Sequence, residues 1–559
     1  MSGARGSSGA RALEQAGTAA SPQSDARDFS AGVALVPEDA ASTNSVSVSS
    51  PAERRENLVV PAIAGLAMLA LAIALLPTTP GQGDGAEFTL ALAFNGLPHP
   101  TGYPLYVMFG HAFVKLLHAL GASFVVAANA WSAVGAAIAI ALFTRLGLEL
   151  VRATAPEDTR PSTSAVAIAA LIPAALLALN PVWLIAATQA EVYSFWYAGI
   201  AAVALVSLIE VRRMHATPID RSPGNAAAPR DLRMASVWGV LCGASLVHHV
   251  AAIVLWGPLS LLLGWTAWRT GRRLRPLLTA GLGAAALPLA AIAHVAWRAF
   301  HPAVYQWPVE AHWAGIAQHV TGSVYARFVG GGFTPFGLQF ELIAAGVMPF
   351  MLLLPMVGVW TLRVGSASVR PWLLTLLVAV GTLTALVFRY GVPDPAVYFG
   401  PALMVGYLVV IPLVSAATRR ASRTAVVAVA IAVVATAVLW AIPRAIAERA
   451  RLARVDARMR NAWNAVPFER GFVVFKDDHS ARLEILRLLE GLRPDLHVIN
   501  PHMLTWTLNR DRFAQEFGFD PMAIVRKDYV TELPVIIGRG TALPVVDFRD
   551  VLEGRLPRR

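Results

Sequence analysis

The stretch LVVPAIAGLAMLALAIALLPTTPGQGDGAEF, residues 58–88, joins an unbroken apolar run to a glycine-rich acidic loop. About 20 apolar residues are needed to cross roughly 30 Å of hydrocarbon. Residues 58–78 supply them without one ionisable side chain. Similar runs lie at 124–148, 164–182, 188–209, 236–251, 253–268, 277–297, 338–361, 371–388, 397–415 and 424–442. With the first they predict a polytopic all-α membrane protein of about eleven spans. The segment PLYVMFGHAFVKLLHAL, 104–120, is also apolar but carries His111, Lys115 and His118, and is expected to lie on the membrane surface.

Composition agrees. The 559 residues are 56% hydrophobic and 14% charged, with a mean hydropathy of +0.55. Soluble chains average about 25% charged residues, so a soluble globular or disordered protein is excluded. The net charge of +11 is carried mostly by arginine. In a lipid-solvated chain such an excess marks the cytoplasmic face, and no nucleic-acid partner is expected. Arg152 and Arg160, then Arg212 to Arg233, Arg269 to Arg275, Arg363 and Arg370, and Arg419 to Arg423 fall in alternate loops, whereas 79–103 contains no Lys or Arg. Counting 104–120 as a span would invert that pattern. Cys242 is the single cysteine, so no internal disulfide forms.

Three regions follow. Residues 1–57 are rich in Ser, Ala and Gly and read as a disordered cytoplasmic tail. Residues 58–443 form the membrane domain, and 444–559 an extracytoplasmic domain. Within the last, GFVVF (471–475), SARLEILRLLEG (480–491) and LHVIN (496–500) predict strand, helix and strand, a small α/β unit. Six arginines from Arg444 to Arg460 directly follow the last span and are expected as an amphipathic helix on anionic headgroups.

Ionisable groups are scarce within the spans and gather at one end. Charge near hydrocarbon is costly and marks function by default. Asp84 and Glu87 are three residues apart, able to share one helix face. Two close carboxylates raise each other's proton affinity, and one becomes a general base near neutral pH. His99-Pro100-Thr101-Gly102-Tyr103-Pro104 cannot be regular helix, because proline blocks it. A rigid loop with a His and a Tyr suits a polar headgroup. The bland alternatives are a helix cap for Asp84 and a turn residue for His99. Glu191 and Tyr193 stand at the mouth of a later span. Of the adjacent His248 and His249, at most one is expected to reach a site. No metal-ligand spacing accompanies them, so the sequence identifies no certain cofactor and leaves a divalent metal possible but without support. The loop 299–337 offers His319, Tyr325 and Arg327 for phosphate. Arg389 and Asp394 flank a further polar turn. In Asp477-Asp478-His479 a helix cap is expected. The polar layer sits at one interface and the midplane is bare. That placement speaks against an ion-coupled transporter and fits an enzyme whose substrate has a lipid tail and a polar head.

At GDGAEF (83–88) and LPHPTGYPLY (97–106) the sequence resembles the bacterial protein O-mannosyltransferase-like membrane proteins of the GT-C glycosyltransferase superfamily. NPVW (180–183), TQAEVYSFW (188–196), LVHH (246–249), HVTGSVYARF (319–328) and VPDPAVYFGPA (392–402) extend the resemblance, which covers roughly 58–500. Relatives carry His-Pro-Pro where this chain has His99-Pro100-Thr101. The resemblance implies transfer of a sugar from a polyprenyl-phosphate donor to a protein or glycan acceptor, on the outer side of a bacterial inner membrane. It implies Asp84 as the catalytic base and Glu191 as a second acidic residue. The lipid phosphate would be steadied by Arg327 or Arg389. Glu87, His99, Tyr103, Glu191 and His248 would shape the pocket. The rivals are a lipid-linked-sugar translocator, which needs a polar path through the midplane, and an envelope-assembly scaffold, which makes the acidic residues dispensable.

Overall fold

The computed structural model describes residues 51–155, 162–217, 228–329, 343–364, 366–391, 395–475, 480–501, 503–505, 507–523, 535–538 and 541–554. Its first helices are α1 (Pro51–Leu75), α2 (Gly85–Phe94), α3 (Pro104–Ala119), α4 (Phe124–Thr154), α5 (Thr163–Ala178), α6 (Pro181–Thr188) and α7 (Tyr193–Ala216). Next come α8 (Pro229–His248), α9 (Ile253–Arg269), α10 (Leu274–Leu289), α11 (Ile292–Phe300) and α12 (Trp313–Thr321). The membrane part closes with α13 (Met348–Met351), α14 (Leu353–Arg363), α15 (Val369–Phe388), α16 (Gly400–Tyr407), α17 (Val410–Arg420) and α18 (Arg423–Ala465).

Among the described residues eight helical segments are long and apolar enough to cross a membrane, and the bent pair α5 and α6 makes nine. Helices also occupy the two remaining expected positions. One is α8, whose first turns carry Arg230, Asp231 and Arg233 and lower its hydropathy. The other comprises α13 and α14, within the described part of 338–361. The chain is therefore an all-α polytopic protein with a small α/β unit behind it, as expected. Helix α1 starts at Pro51, earlier than the tail boundary at 57 predicted. Residues 1–50 of the expected tail lie outside the described residues.

Helix α4 is the centre of the bundle. Ala127, Ala128, Ala133, Ala136 and Ala139 are fully buried along it, and their small side chains let α1 and α7 approach closely. At one end the helices are tied by ions. Arg152 reaches Glu56 at 2.5 Å, Arg212 reaches Glu149 at 2.6 Å, and Arg213 reaches Asp231 at 2.5 Å. These pairs join α1 to α4, α4 to α7 and α7 to α8. Arginines read as loop charge thus also serve as interhelical ties.

The expected span 164–182 is broken, with α5 and α6 meeting at 71°. The cause is local. Asn180 precedes Pro181, which biases it to extended geometry, and its φ of −71° and ψ of 131° follow. Asn180 then caps α6 by accepting from Val182 N at 3.0 Å and donates to Gly346 O at 2.8 Å. The break delivers Gln189 and Glu191 to the acidic end of the bundle.

Helix α18 corrects another expectation. The arginine segment is no separate surface helix but the continuation of the last span, one 43-residue rod. At 1.5 Å per residue it is about 65 Å long, roughly twice the hydrocarbon thickness. Its far end carries the α/β unit: β1 (Gly471–Val474), α19 (Ser480–Glu484), β2 (Leu496–Ile499), α20 (Thr507–Phe517), β3 (Val535–Gly538), β4 (Thr541–Asp547) and α21 (Phe548–Leu552). The sheet order is β2-β1-β4-β3. Strand β1 runs parallel to both neighbours, as a helical crossover requires, and β3 pairs antiparallel with β4. The predicted strand–helix–strand is present; β3 and β4 were not foreseen. Trp463 at the end of α18 is fully buried among Val473, Phe475, Leu483 and Phe548, so the rod and the unit share one core. Asp477, Asp478 and His479 lie outside the described residues.

Candidate active site

One cavity of about 2300 Å³ opens between the acidic ends of the helices and the α/β unit. Typical small-molecule sites hold about 300–1,000 Å³, so this one has room for two substrates. Its polar lining includes Asp84, Glu87, His99, Tyr103 and Glu191. Leu75, Val182, Ile185, Ile253, Leu383 and Leu386 form an apolar flank.

Asp84 occupies the N-cap position of α2, yet its side chain makes no capping bond. A cap residue normally accepts from the second or third helical N–H. Here the carboxylate turns to the cavity instead, keeping 42% of its surface open, with Oδ2 3.7 Å from His99 Nε2. The opening is onto a recess, so the group remains withdrawn from bulk water. Burial pushes the Asp84 carboxyl above its ordinary range, His99 partly opposes this, and Glu87 adds to it.

Glu87, one turn along α2, is buried and points to the same loop. Its Oε1 accepts from the His99 backbone N–H at 2.5 Å, and its Oε2 lies 3.3 Å from His99 Nδ1. Tyr103 closes the set, its hydroxyl 3.3 Å from His99 Nε2. Glu87 thus orients the ring while Asp84 and Tyr103 share its far nitrogen. Phe88 and Tyr325 pack edge-on to the ring, with centroids 5.3 and 6.3 Å away. The loop from 299 reaches this site by backbone pairing, Trp307 N donating to Leu97 O at 2.7 Å. Gly96 permits the approach, because a Cβ there would lie 2.0 Å from Tyr305 O.

Three polar side chains that the sequence reading did not single out, Asn129, Gln189 and Arg482, cage the loop before Asp84 together with Arg451 of the arginine segment. Asn129 of α4, fully buried, donates to Pro77 O at 3.0 Å and to Thr79 O at 3.3 Å. Its Oδ1 accepts from Ala190 N at 2.8 Å, joining the two acidic loops. Gln82 N donates to Gln189 Oε1 at 2.7 Å, and Gln82 Oε1 accepts from Arg451 of α18. Arg482 of α19 donates to Pro80 O at 3.0 Å and to Gly81 O. A single Asn inside an Ala-rich helix was the one available signal; the others lie far apart in sequence.

Most expected site residues converge here. Glu191, Tyr193, His249 and Tyr325 line the cavity with Asp84, Glu87, His99 and Tyr103. His249 stacks on Trp196 at 4.5 Å. The neighbouring His248 turns away, with Nε2 2.9 Å from Val192 O, so only one of the pair reaches the cavity. Arg389 is exposed and outside the lining of this cavity. Asp394 and the Arg327 side chain lie outside the described residues. Instead Arg444, Arg449, Arg451 and Arg454 of α18 face the cavity beside Glu448.

Asp84, Glu87 and His99 each place one ligand atom within 4.8 Å of the others, a spacing that suits a divalent cation. Sequence spacing did not show this, because the rest of α2 and the loop 95–98 separate the histidine from the acidic helix turn.

Fold and cavity together define a polytopic membrane protein with an acidic cleft roofed by an α/β unit. Residues 84–271 match the family described as Protein O-mannosyl-transferase TMEM260 N-terminal domain. Over that stretch the chain is similar to that family, in line with the resemblance read from the sequence. No curated protein matches the chain by sequence. Among solved structures, the apo oligosaccharyltransferase of Archaeoglobus fulgidus is 14% identical, with a TM-score of 0.44 over 81% of this chain and 66% of that one. ArnT from Cupriavidus metallidurans, solved bound to undecaprenyl phosphate, is 12% identical, with a TM-score of 0.46 over 78% and 85%. The chain spans just under two thirds of the oligosaccharyltransferase.

Proposed function

We propose that this protein transfers a sugar, with mannose the first candidate, from a polyprenyl-phosphate donor to a hydroxyl of a protein or glycan outside a bacterial inner membrane. The observation that carries the reading is Asp84, a helix-cap residue whose carboxylate leaves the cap and faces the cleft. Asp84 takes the proton from the acceptor hydroxyl. The acceptor oxygen attacks the anomeric carbon, the bond from that carbon to the phosphate oxygen breaks, and polyprenyl phosphate leaves. A single displacement inverts the anomeric centre. Glu87 orients His99 by its two contacts, and His99 with Tyr103 fixes the sugar or acceptor beside Asp84. Glu191 supports the second wall.

The phosphate belongs with α18. Arg449 and Arg454 line the cleft and have no ion-pair partner among the described residues, whereas Arg451 is held by Glu448 and Gln82. Guanidinium groups pair well with phosphate. The apolar flank takes the first isoprenes. A protein serving only as a scaffold needs none of this convergence. The deciding experiment is turnover of a short-chain polyprenyl-phosphate mannose by purified full-length protein, wild type against Asp84→Asn. Transfer by the wild type alone supports the reading; equal transfer by both sinks the assignment of the base.

A further inference from the structure

We propose that the α/β unit is the buttress of the acidic helix, and that Arg482 is the positioning residue through which it sets Asp84. This rests on the reading of Asp84 as the base. The contact has an apolar and a polar part. Ala481 and Ile485 pack on Ala86 and Leu90, the face of α2 turned from the cleft, and all four are buried. Beside them the Arg482 guanidinium, 2% exposed, donates to the carbonyls of Pro80 and Gly81. Those residues end two positions before Gly83 and three before Asp84. A buried cation is costly unless paired. This one spends its charge on two backbone carbonyls of a loop that turns at Gly83, with a φ of 59°.

The loop has few alternatives. Its other holders are Asn129 at Pro77 and Thr79, and Gln189 and Arg451 at Gln82. Arg451 stands on α18, the same rod that carries the α/β unit. Without Arg482 the carbonyls of Pro80 and Gly81 lose a charge-assisted donor. The start of α2 is then free to shift against the cleft. Arg482 touches no part of the cavity lining assigned to substrate, so its effect passes through Asp84 and not through binding.

The test uses full-length protein in lipid nanodiscs and compares Arg482→Met, Arg482→Lys and Ile485→Ala. Arg487→Gln, about one turn further on, where the side chain pairs with Glu484, serves as control. Two quantities are read: kcat and donor KM for polyprenyl-phosphate mannose, and hydrogen exchange across residues 88–94. Misplacing a catalytic group by about 1 Å costs roughly 100-fold. Arg482→Met is expected to lower kcat roughly 10- to 100-fold with donor KM within about threefold, and to speed exchange in α2. Lysine, still a donor, recovers part of the loss. Ile485→Ala shows the same pattern at smaller amplitude, and Arg487→Gln shows none of it. Wild-type kcat and exchange in Arg482→Met overturn the proposal. If that variant fails to insert, wild-type behaviour of Ile485→Ala overturns it instead. An inactive Asp84→Asn beside a fully active Arg482→Met removes the buttress alone. An active Asp84→Asn with faster α2 exchange in Arg482→Met removes the catalytic reading and leaves the mechanical link.

Discussion

Glu87 grips His99 twice, accepting from its backbone N–H at 2.5 Å and lying 3.3 Å from its ring Nδ1. The two contacts fix both the loop and the ring, so the far nitrogen can only face Asp84 and Tyr103. Glu87→Gln keeps the shape and loses the charge behind Nδ1. Replacing a charge-assisted hydrogen bond by a neutral one loses about 1–1.5 kcal/mol, so transfer should fall roughly tenfold, measured per mole of inserted protein. A fall as deep as that of Asp84→Asn would make Glu87 the base.

Asp84→Asn preserves volume and removes the proton acceptor. Transfer is expected to drop roughly 100-fold or more, the scale of general-base catalysis. The cap position tolerates Asn, so thermal stability in detergent should stay near wild type. Near-normal transfer would move the assignment to Glu191.

Arg449→Gln combined with Arg454→Gln should raise donor KM about tenfold or more, by loss of charge-assisted phosphate contacts, with kcat less affected. A matching double change at Arg419 and Arg420, at the α17–α18 turn and the other end of the rod, should leave KM unchanged. Equal effects would assign the arginines to general charge and not to a phosphate site.

His99 already satisfies Glu87 and Tyr103 within the protein. Transfer is therefore expected to survive EDTA. If chelation abolishes it and Mn²⁺ restores it, Asp84, Glu87 and His99 act as a cation site and the role of Asp84 changes from base to ligand.

Cys242 is buried, so added cysteines report topology cleanly. Cysteine at His312 or Glu553 should react with a membrane-impermeant maleimide on intact spheroplasts, and cysteine at Arg273 or Arg419 only after lysis. The reverse pattern would place the cleft on the cytoplasmic side.

Sequence by itself determined that this chain is an all-α membrane protein with its candidate site groups gathered at one end. Hydrophobic length and charge scarcity are local properties, and the bilayer enforces them span by span. The pairing of Asp84 with Glu87 was legible for the same reason, since residues three apart on a helix face are neighbours wherever the helix goes. His99 was legible as a rigid loop residue, but its partners were not. What only the tertiary structure decided is where distant segments meet. Arg389 is exposed while Arg449 and Arg454 face the cleft, because α18 runs straight out of the bundle instead of bending onto the surface. Arg482 meets Pro80 across 402 residues, and Asn129 joins loops 52 and 61 residues away. No period or spacing encodes such contacts. They arise when buried donors and acceptors must find partners as the bundle closes, and which partners they find depends on the packing of every helix between them.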